Sequence, residues 1–259
     1  MGHLEFLGPP GAGKTTLHRS LITDPVWYGG VTADAISRYH LKQARWRYRL
    51  AYQLLPARVQ TGVAEEILTY RFRHQAIKRF GAAWPTVIKE SARSIANSAV
   101  DHELLHQWMN QLFAYYQLGT ETTGTDEIFC LDEGFAQKSL AFRWRRAGDH
   151  EQASFLRVTP TPQIIIYVSA TPEMCLERQT DRGEVVVDKP WVDDDRLTVQ
   201  RRLHEYCEDI ADELRQQSTI IEIDSTLGVT QTINTLRHQL TTYMGDGPTS
   251  KITGRVTTD

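Results

Sequence analysis

A glycine-rich loop near the start of the chain limits the folds that the sequence can adopt. Residues 8–15 read GPPGAGKT and complete the pattern G-x-x-x-x-G-K-[ST], directly after the apolar stretch HLEFL. A loop of this kind can surround a polyphosphate only where it joins a buried strand to the N-terminus of a helix. The stretch TLHRSLI that follows Thr15 can begin that helix. The sequence therefore predicts a strand, a phosphate-binding loop and a helix in its first part.

The residues of the loop have separate chemical tasks. Its glycines allow successive backbone N–H groups to point inward, toward phosphate oxygens. Lys14 is expected to reach the β- and γ-phosphates, and Thr15 is expected to ligate Mg²⁺. The predicted nucleotide-binding residues are Gly8, Gly11, Ala12, Gly13, Lys14, Thr15 and Thr16. ATP and Mg²⁺ are thus the predicted cofactors, and a glycine-rich turn capped by Thr15 is the competing interpretation.

Five short apolar stretches predict the strands of one sheet. They lie at 3–7, 86–90, 127–131, 163–168 and 219–223, and helical patterns separate them. Such an alternation is typical of parallel strands covered on both faces, the doubly wound α/β class. Helix-period positions at 33–80 predict two long helices broken near Pro56, and a third helix is predicted at 101–117. This helical block is placed to lie over the end of the sheet where ligands bind.

Length and composition suit one domain and exclude several partners. A chain of 259 residues with 41% hydrophobic positions can bury a sizeable core. We expect one domain over 1–243, with the helical block at about 33–118, and a mobile polar tail over 244–259. The net charge of −3 argues against nucleic acid as a partner. Three separated cysteines and the lack of a membrane-length apolar run favour a cytoplasmic protein without a membrane partner; a homodimer is compatible with the sequence.

Two acidic residues end the third predicted strand, in EIFCLDEGFAQKS. A carboxylate at the carboxyl end of a strand beside the phosphate-binding loop can complete an oxygen-rich shell for Mg²⁺. Asp132 is therefore the candidate metal ligand, together with Thr15. Glu133 has two interpretations: a general base for water or a hydroxyl group, or a charge favoured near a helix N-terminus.

A helix with paired arginines follows the fourth predicted strand, in PQIIIYVSATPEMCLERQTDRGE. Thr171 as N-cap and Pro172 at the first helical position begin it. Arg178 and Arg182 are four residues apart and would share one helix face. Two guanidinium groups pointing the same way can stabilise the charge of a transferring phosphoryl group. A solvated face with ion pairs to neighbouring carboxylates is the alternative.

Several motifs follow one another along the chain: first the glycine-rich loop, then DEGFAQKSLAF, then PQIIIYVSATPEMCLERQTDRGE, and finally a long helix and TIIEIDS. This order of motifs resembles the thymidylate kinase and deoxynucleoside kinase group of P-loop kinases. The resemblance covers the frame of the chain from residue 3 to about 240, without the helical block at 33–80. It implies a sheet ordered 2-3-1-4-5 and a mobile lid in or beside which Arg178 and Arg182 lie. It also implies that the loop after Asp224 lies near the adenine.

Two departures from this group concern the acceptor. Where thymidylate kinases place an Asp-Arg pair, this chain has Asp132-Glu133, so a hydroxyl-bearing acceptor is at least as well supported as a nucleoside monophosphate. In the related kinases, carboxylates and arginines at the end of the second strand hold the acceptor. The resemblance therefore makes Glu90 a candidate base or acceptor ligand and Arg93 a candidate anion contact. A surface ion pair between the two is the competing interpretation.

Three classes of function fit the loop. The first is a phosphotransferase that moves the γ-phosphoryl group of ATP·Mg²⁺ to a nucleoside, nucleotide or other small hydroxyl compound. Its catalytic residues would be Lys14, Asp132, Glu133, Arg178 and Arg182. The second is an ATPase switch in which Glu133 activates water, although no LSGGQ-like signature occurs. A GTPase switch is less well supported, because no Asn-Lys-x-Asp guanine motif occurs. A sulfotransferase-like enzyme is the third, disfavoured by the complete Gly-Lys-Thr and its accompanying carboxylate.

Overall fold

The computed structural model describes most of the sheet and its covering helices. The described residues are 2–22, 27–28, 46, 50, 53–56, 59, 73–81, 99–123, 128–144, 155–183, 185 and 195–245. The predicted strand at 86–90, including Glu90, lies outside them, as does Arg93. So do most of the predicted helices at 33–80 and the tail beyond residue 245.

A parallel sheet forms the centre of the molecule. Its four longer strands are β1 (His3–Leu7), β3 (Ile128–Leu131), β4 (Ile164–Ser169) and β5 (Thr219–Asp224). A two-residue strand, β2 (Trp27–Tyr28), pairs with β3 at one edge. The order is β2-β3-β1-β4-β5, and every pair is parallel. The carboxyl ends of β3, β1 and β4 therefore lie side by side, and the glycine-rich loop leaves the sheet between its two neighbours.

The α/β class agrees with the prediction, and the four predicted strands within the described residues lie in the predicted order 3-1-4-5, as β3-β1-β4-β5; the predicted second strand at 86–90 is not among the described residues. Four predicted strands are found within one residue of their expected bounds, because continuous apolar runs mark them. The edge strand beside β3 is Trp27–Tyr28, which the sequence analysis assigned to no element. Two residues are too short for any hydrophobic period to be recognised.

Helices cover both faces of this sheet. In the described part of the chain they are α1 (Lys14–Leu21), α2 (Arg73–Phe80), α3 (Ala99–Thr122), α4 (Phe135–Trp144), α5 (Phe155–Val158), α6 (Pro172–Asp181), α7 (Arg196–Leu214) and α8 (Val229–Gly245), with a 3-10 turn at Ser225–Leu227. Helix α7 begins at Arg196 because Asp195 caps it. The Asp195 carboxylate accepts hydrogen bonds from the N–H groups of Leu197 and Thr198 at 3.0 and 3.1 Å.

Alternate residues of β1 enter two hydrophobic clusters. Leu4 and Phe6 pack on one face with side chains of α1 and α8. Leu7 packs on the other face with side chains of α3, α4 and α7. Glu5 also points to this second face and is fully buried there. Among the described residues, no helix has both the length and the apolar character that crossing a membrane requires.

Candidate active site

The glycine-rich loop runs from the end of β1 to the first turn of α1. Gly11 has a φ of 87°, and a Cβ atom built there would lie 2.2 Å from the carbonyl oxygen of Cys175. Gly13 has a φ of 97° and is the N-cap of α1, in the left-handed conformation that glycine adopts readily. These two positions explain why the loop needs glycine: one for a close approach to α6, the other for the turn into α1.

Three of the N–H groups that were expected to bind phosphate already have partners within the protein. The N–H of Gly8 donates to Oε1 of Gln137 at 3.1 Å, that of Ala12 to the carbonyl of Pro9 at 3.2 Å, and that of Thr16 to the carbonyl of Gly13 at 3.1 Å. The remaining donors include those of Lys14 and Thr15, since a helix leaves its first N–H groups without partners inside the helix. The donors left for an anion therefore lie around the start of α1.

Lys14 lies folded against the loop. Its Nζ donates to the carbonyl oxygens of Gly8 at 2.7 Å and Pro9 at 3.0 Å. Burial lowers the pKa of Lys14, and among the charges opposing this shift are those of Glu133 and Asp132. The structure thus brings the predicted phosphate-binding cation and both predicted carboxylates into one electrostatic neighbourhood.

Asp132 follows β3 directly and has a carboxylate oxygen without a partner. Its Oδ1 atom is buried and has no hydrogen-bond partner among the described residues. The Asp132 charge also opposes the burial that lowers the pKa of His18, which lies on α1. The Asp132 carboxylate is therefore close enough to α1 for its charge to act on His18. A buried oxygen of this kind is costly unless it binds a donor or a cation.

The oxygens at this point fit Mg²⁺ held together with a nucleotide. Thr15 is exposed in the first turn of α1, and Asp132 offers its Oδ1, which no described residue bonds. Magnesium bound in this way needs one or two protein oxygens, because phosphates and water complete its shell. Within the described ranges no group of three or more His, Cys, Asp or Glu side chains is arranged to hold a metal by itself.

Glu133 bonds to a side chain of α4. Its side chain is 58% exposed, and its Oε2 accepts a hydrogen bond from Nζ of Lys138 at 2.5 Å. The Lys138 ammonium also lies 5.0 Å from the centre of the Trp108 ring. Burial raises the pKa of Glu133, but the charge and hydrogen bond of Lys138 and the charge of Lys14 outweigh it, so the pKa is lowered. A carboxylate held in its ionised form is a weak base, and the arrangement favours a structural role.

Arg178 joins three elements around the loop. Its Nη1 donates to the carbonyl of Gly11 at 3.4 Å and to Oγ of Ser225 at 3.1 Å, while its Nη2 donates to the carbonyl of Ser225 at 2.8 Å. The Ser225 hydroxyl in turn donates to the carbonyl of Ala12 at 2.7 Å. We call these contacts the Arg178 clasp. It connects α6, the glycine-rich loop and the turn after β5.

Arg182 has a different environment from Arg178. It is the C-cap of α6, is exposed, and donates from Nε to the carbonyl of Arg178 at 3.1 Å. The helix start, in contrast, is as predicted: Thr171 is the N-cap and accepts a hydrogen bond from the N–H of Met174 at 3.2 Å. Of the two predicted arginines, the structure thus brings Arg178 against the loop.

Two buried glutamines, one on α6 and one on α7, hydrogen-bond to the loop. The sequence analysis did not single them out. Nε2 of Gln179 and Nε2 of Gln200 both donate to the carbonyl of Pro10, at 3.1 and 3.0 Å. Gln179 also donates to Oε1 of Gln200 at 3.1 Å. Both side chains are fully buried. A polar residue on the apolar face of a helical pattern, as at 200, is the sequence signal that could have found them.

Glu5 is the second feature that the sequence analysis missed. Its Oε2 accepts the N–H of Ala136 at 2.8 Å, and its Oε1 accepts a hydrogen bond from Nε2 of His3 at 2.9 Å. The signal was present in the sequence as an acidic residue in the middle of the otherwise apolar strand before the loop. Charged side chains are rarely fully buried without a partner.

No protein-family model matches the sequence, and neither does any curated protein. Among solved structures, the chain is similar to deoxyadenosine kinase from M. mycoides with bound dCTP, with a TM-score of 0.44 and 12% identity over 93% of this chain and 99% of that chain. A second structure of that kinase, with products dCMP and a flexible dCDP bound, has a TM-score of 0.45 and 13% identity over the same shares. Deoxyadenosine kinases belong to the deoxynucleoside kinases, the group that the sequence motifs resemble. A likeness of this size carries no information about the substrate of the present chain.

Proposed function

We propose that this protein is a phosphotransferase that moves the γ-phosphoryl group of ATP·Mg²⁺ to a small-molecule acceptor. The observation that carries the proposal is that the loop with Lys14 and the buried Oδ1 of Asp132, which has no hydrogen-bond partner among the described residues, follow the carboxyl ends of two adjacent parallel strands, β1 and β3. Open α/β sheets bind their ligands at this edge. The glycine-rich loop between them is complete in sequence and leads into a helix N-terminus.

The residues of the loop have distinct parts in binding the donor. The first turn of α1 offers backbone N–H groups and a partial positive charge to the phosphates. Lys14 can exchange its bonds to the Gly8 and Pro9 carbonyls for bonds to phosphate oxygens without leaving the loop. Asp132 and Thr15 are the residues that would hold Mg²⁺. When bound, this ion neutralises charge on the β- and γ-phosphates.

The arginines and the acceptor residues complete the proposal. Arg178 lies against the loop, where it donates to the carbonyl of Gly11 at 3.4 Å, and it would bind a phosphate of the donor. Arg182 would act beside it once the end of α6 closes over the donor. Glu90 and Arg93 remain the candidate acceptor contacts. The acceptor is a nucleoside, a nucleotide or another hydroxyl compound.

An ATPase switch that uses Glu133 to activate water is less well supported. Such a base must take a proton from water during the reaction. The pKa of Glu133 is lowered by Lys138 and Lys14 against the effect of burial, and its carboxylate is already bonded to Lys138. Both observations count against proton uptake by Glu133.

The decisive measurement is whether ADP release depends on an acceptor. We would incubate the protein with ATP and Mg²⁺, with and without a panel of nucleosides, nucleotides and other hydroxyl compounds, and identify phosphorylated products by mass spectrometry. Acceptor-dependent ADP release is expected, and Lys14→Ala should reduce it by about 100-fold or more. Arg215→Ala is the matched control, because it removes a cation whose bonds are to exposed Asp212 and Glu222.

Two results would contradict the proposal. ATP hydrolysis at full rate without any acceptor would favour the switch. Normal phosphoryl transfer by the Lys14→Ala protein would show that the loop does not bind the donor.

A further inference from the structure

The pairing between β3 and β1 ends at Leu131, the residue before Asp132. Strands β1 and β3 pair through the register His3–Phe129, Leu4–Cys130 and Glu5–Leu131. Beyond Leu131 the chain leaves the ladder and turns through Asp132, Glu133 and Gly134 into α4. We call these three residues the acidic turn. Its position relative to the phosphate-binding loop must be set by contacts other than strand pairing.

Beyond the end of this pairing, two hydrogen bonds connect α4 with β1 and with the loop. Oε2 of Glu5 accepts the N–H of Ala136 at 2.8 Å, which lies in the first turn of α4. Oε1 of Gln137 accepts the N–H of Gly8 at 3.1 Å. Because Ala136 and Gln137 lie just after the acidic turn, these two bonds hold the turn to β1 before Leu7 and to the loop after Leu7. One bond uses Glu5, the last residue of β1 that pairs with β3, and the other uses Gly8, the first residue of the loop.

The local packing leaves little freedom around the first of these bonds. A Cβ atom on Gly134 would lie 2.1 Å from Cδ of Glu5, so the turn can approach the carboxylate this closely only as glycine. The other carboxylate oxygen is bonded to His3, whose ring packs edge-on against Tyr116 at 5.0 Å. A negative charge at the N-terminus of α4 is also favoured by the helix dipole. Both the position of Glu5 and the direction of its carboxylate are therefore fixed.

We propose that Glu5, supported by His3 and Gln137, is a positioning residue that sets the acidic turn, and with it Asp132, relative to Lys14 and Thr15. This inference deepens the proposed function and rests on it. Glu5 touches neither donor nor metal; it acts through the backbone of α4. Groups that orient metal ligands from behind commonly change metal affinity or activity by about 10- to 100-fold when removed.

Amide hydrogen exchange tests whether Glu5 holds the turn. Glu5→Met removes the acceptor for Ala136 while filling similar volume, and Glu5→Gln keeps an acceptor oxygen. In Glu5→Met the amides of residues 132–138 should exchange about 10-fold faster or more, with β4 and β5 changed far less. Ser218→Ala is the matched control, because it removes a buried 2.7 Å bond to the Pro162 carbonyl at the other end of the sheet. It should leave exchange at 132–138 unchanged.

Nucleotide affinity tests whether the position of the turn matters for the site. We would measure ATP binding with Mg²⁺ and with chelator. In Glu5→Met, the gain in affinity that Mg²⁺ provides should fall by about 10-fold, while the affinity for metal-free ATP changes less than about 2-fold. Glu5→Gln should recover most of that gain. If Glu5→Met does not fold, Gln137→Ala replaces it, because it removes the second bond without changing the core, and the same direction of change is expected.

The outcomes separate the two proposals. Failure of the wild type to bind ATP, or to bind it more tightly with Mg²⁺, would overturn the proposed function and the role of Glu5 that rests on it. A wild type that behaves as proposed, with Glu5→Met indistinguishable from Ser218→Ala in exchange or in the gain from Mg²⁺, would overturn the role of Glu5 alone.

Discussion

The contact between the glycine-rich loop and α6 gives a prediction with an internal control. Gly11 and Gly183 both have a positive φ, 87° and 68°. A Cβ on Gly11 would lie 2.2 Å from the carbonyl oxygen of Cys175, whereas a Cβ on Gly183 would meet nothing within 4 Å among the described residues. Replacing each by alanine therefore applies the same backbone change, with a clash at one site only.

The expected difference follows from three contributions. A left-handed conformation costs alanine about 1–2 kcal/mol at both sites. The smaller conformational freedom of the unfolded chain returns about 0.4–1 kcal/mol at both. Only Gly11→Ala must also move the buried main chain of α6, and overpacking of this kind costs about 1–3 kcal/mol. Gly183→Ala should thus lower the free energy of unfolding by about 1 kcal/mol. Gly11→Ala should lower it by about 1–3 kcal/mol more.

Urea unfolding followed by circular dichroism measures both free energies. ATP affinity adds a second readout, because a displaced α6 also moves Arg178 of the clasp, so Gly11→Ala should weaken ATP binding and Gly183→Ala should not. Equal destabilisation of the two variants would refute the reasoning. It would mean that the loop and α6 separate freely and that the close approach at Gly11 constrains nothing.

Three further predictions concern the site. Asp132→Asn should reduce the gain in ATP affinity from Mg²⁺ by about 10-fold or more, yet leave the urea midpoint unchanged or raised, because Oδ1 has no partner among the described residues; a lowered midpoint would contradict this. Lys138→Met should raise the pKa of Glu133 in carboxyl NMR titrations. Since the pKa of Glu133 lies below its usual 4.5, the stabilisation from this pair is present above that value and is lost as pH falls through the lowered pKa. The stability difference between Lys138→Met and wild type should therefore vanish in acid, and a difference that persists there would count against the pair. Ser225→Ala breaks two bonds of the clasp to Arg178 and the loop, so it should cost about 1–3 kcal/mol in urea unfolding; no change would mean that the clasp does not hold in solution.

The sequence predicted those parts of the molecule that local patterns determine. Strand β4 was found because Ile164 to Val168 form a continuous apolar run, and the start of α6 because Thr171 and Pro172 are a cap and a first-turn residue. The loop was found because its glycines and Lys14 recur at fixed spacing. In each case the information lies within a few neighbouring residues.

What the sequence did not predict depends on residues that meet only in the folded chain. Arg178 is 167 residues from Gly11 and 47 from Ser225, so no local pattern could identify its partners. The sequence left both interpretations of Glu133 open, because its partner Lys138 packs on the Trp108 ring, and no local pattern shows that contact. A side chain that bonds across elements has the same sequence pattern as one that faces water.

The short interval between Glu5 on β1 and Gly8 at the start of the loop limits how this protein can vary in evolution. Two residues separate them, and both bonds to α4 depend on that interval. A one-residue insertion or deletion between them would turn the Glu5 side chain to the opposite face of the sheet relative to the loop, since side chains alternate along a strand, so the two bonds to α4 could not form together. Homologues should therefore differ in the apolar residues at this point while keeping the interval itself, and changes of chain length should occur in other segments.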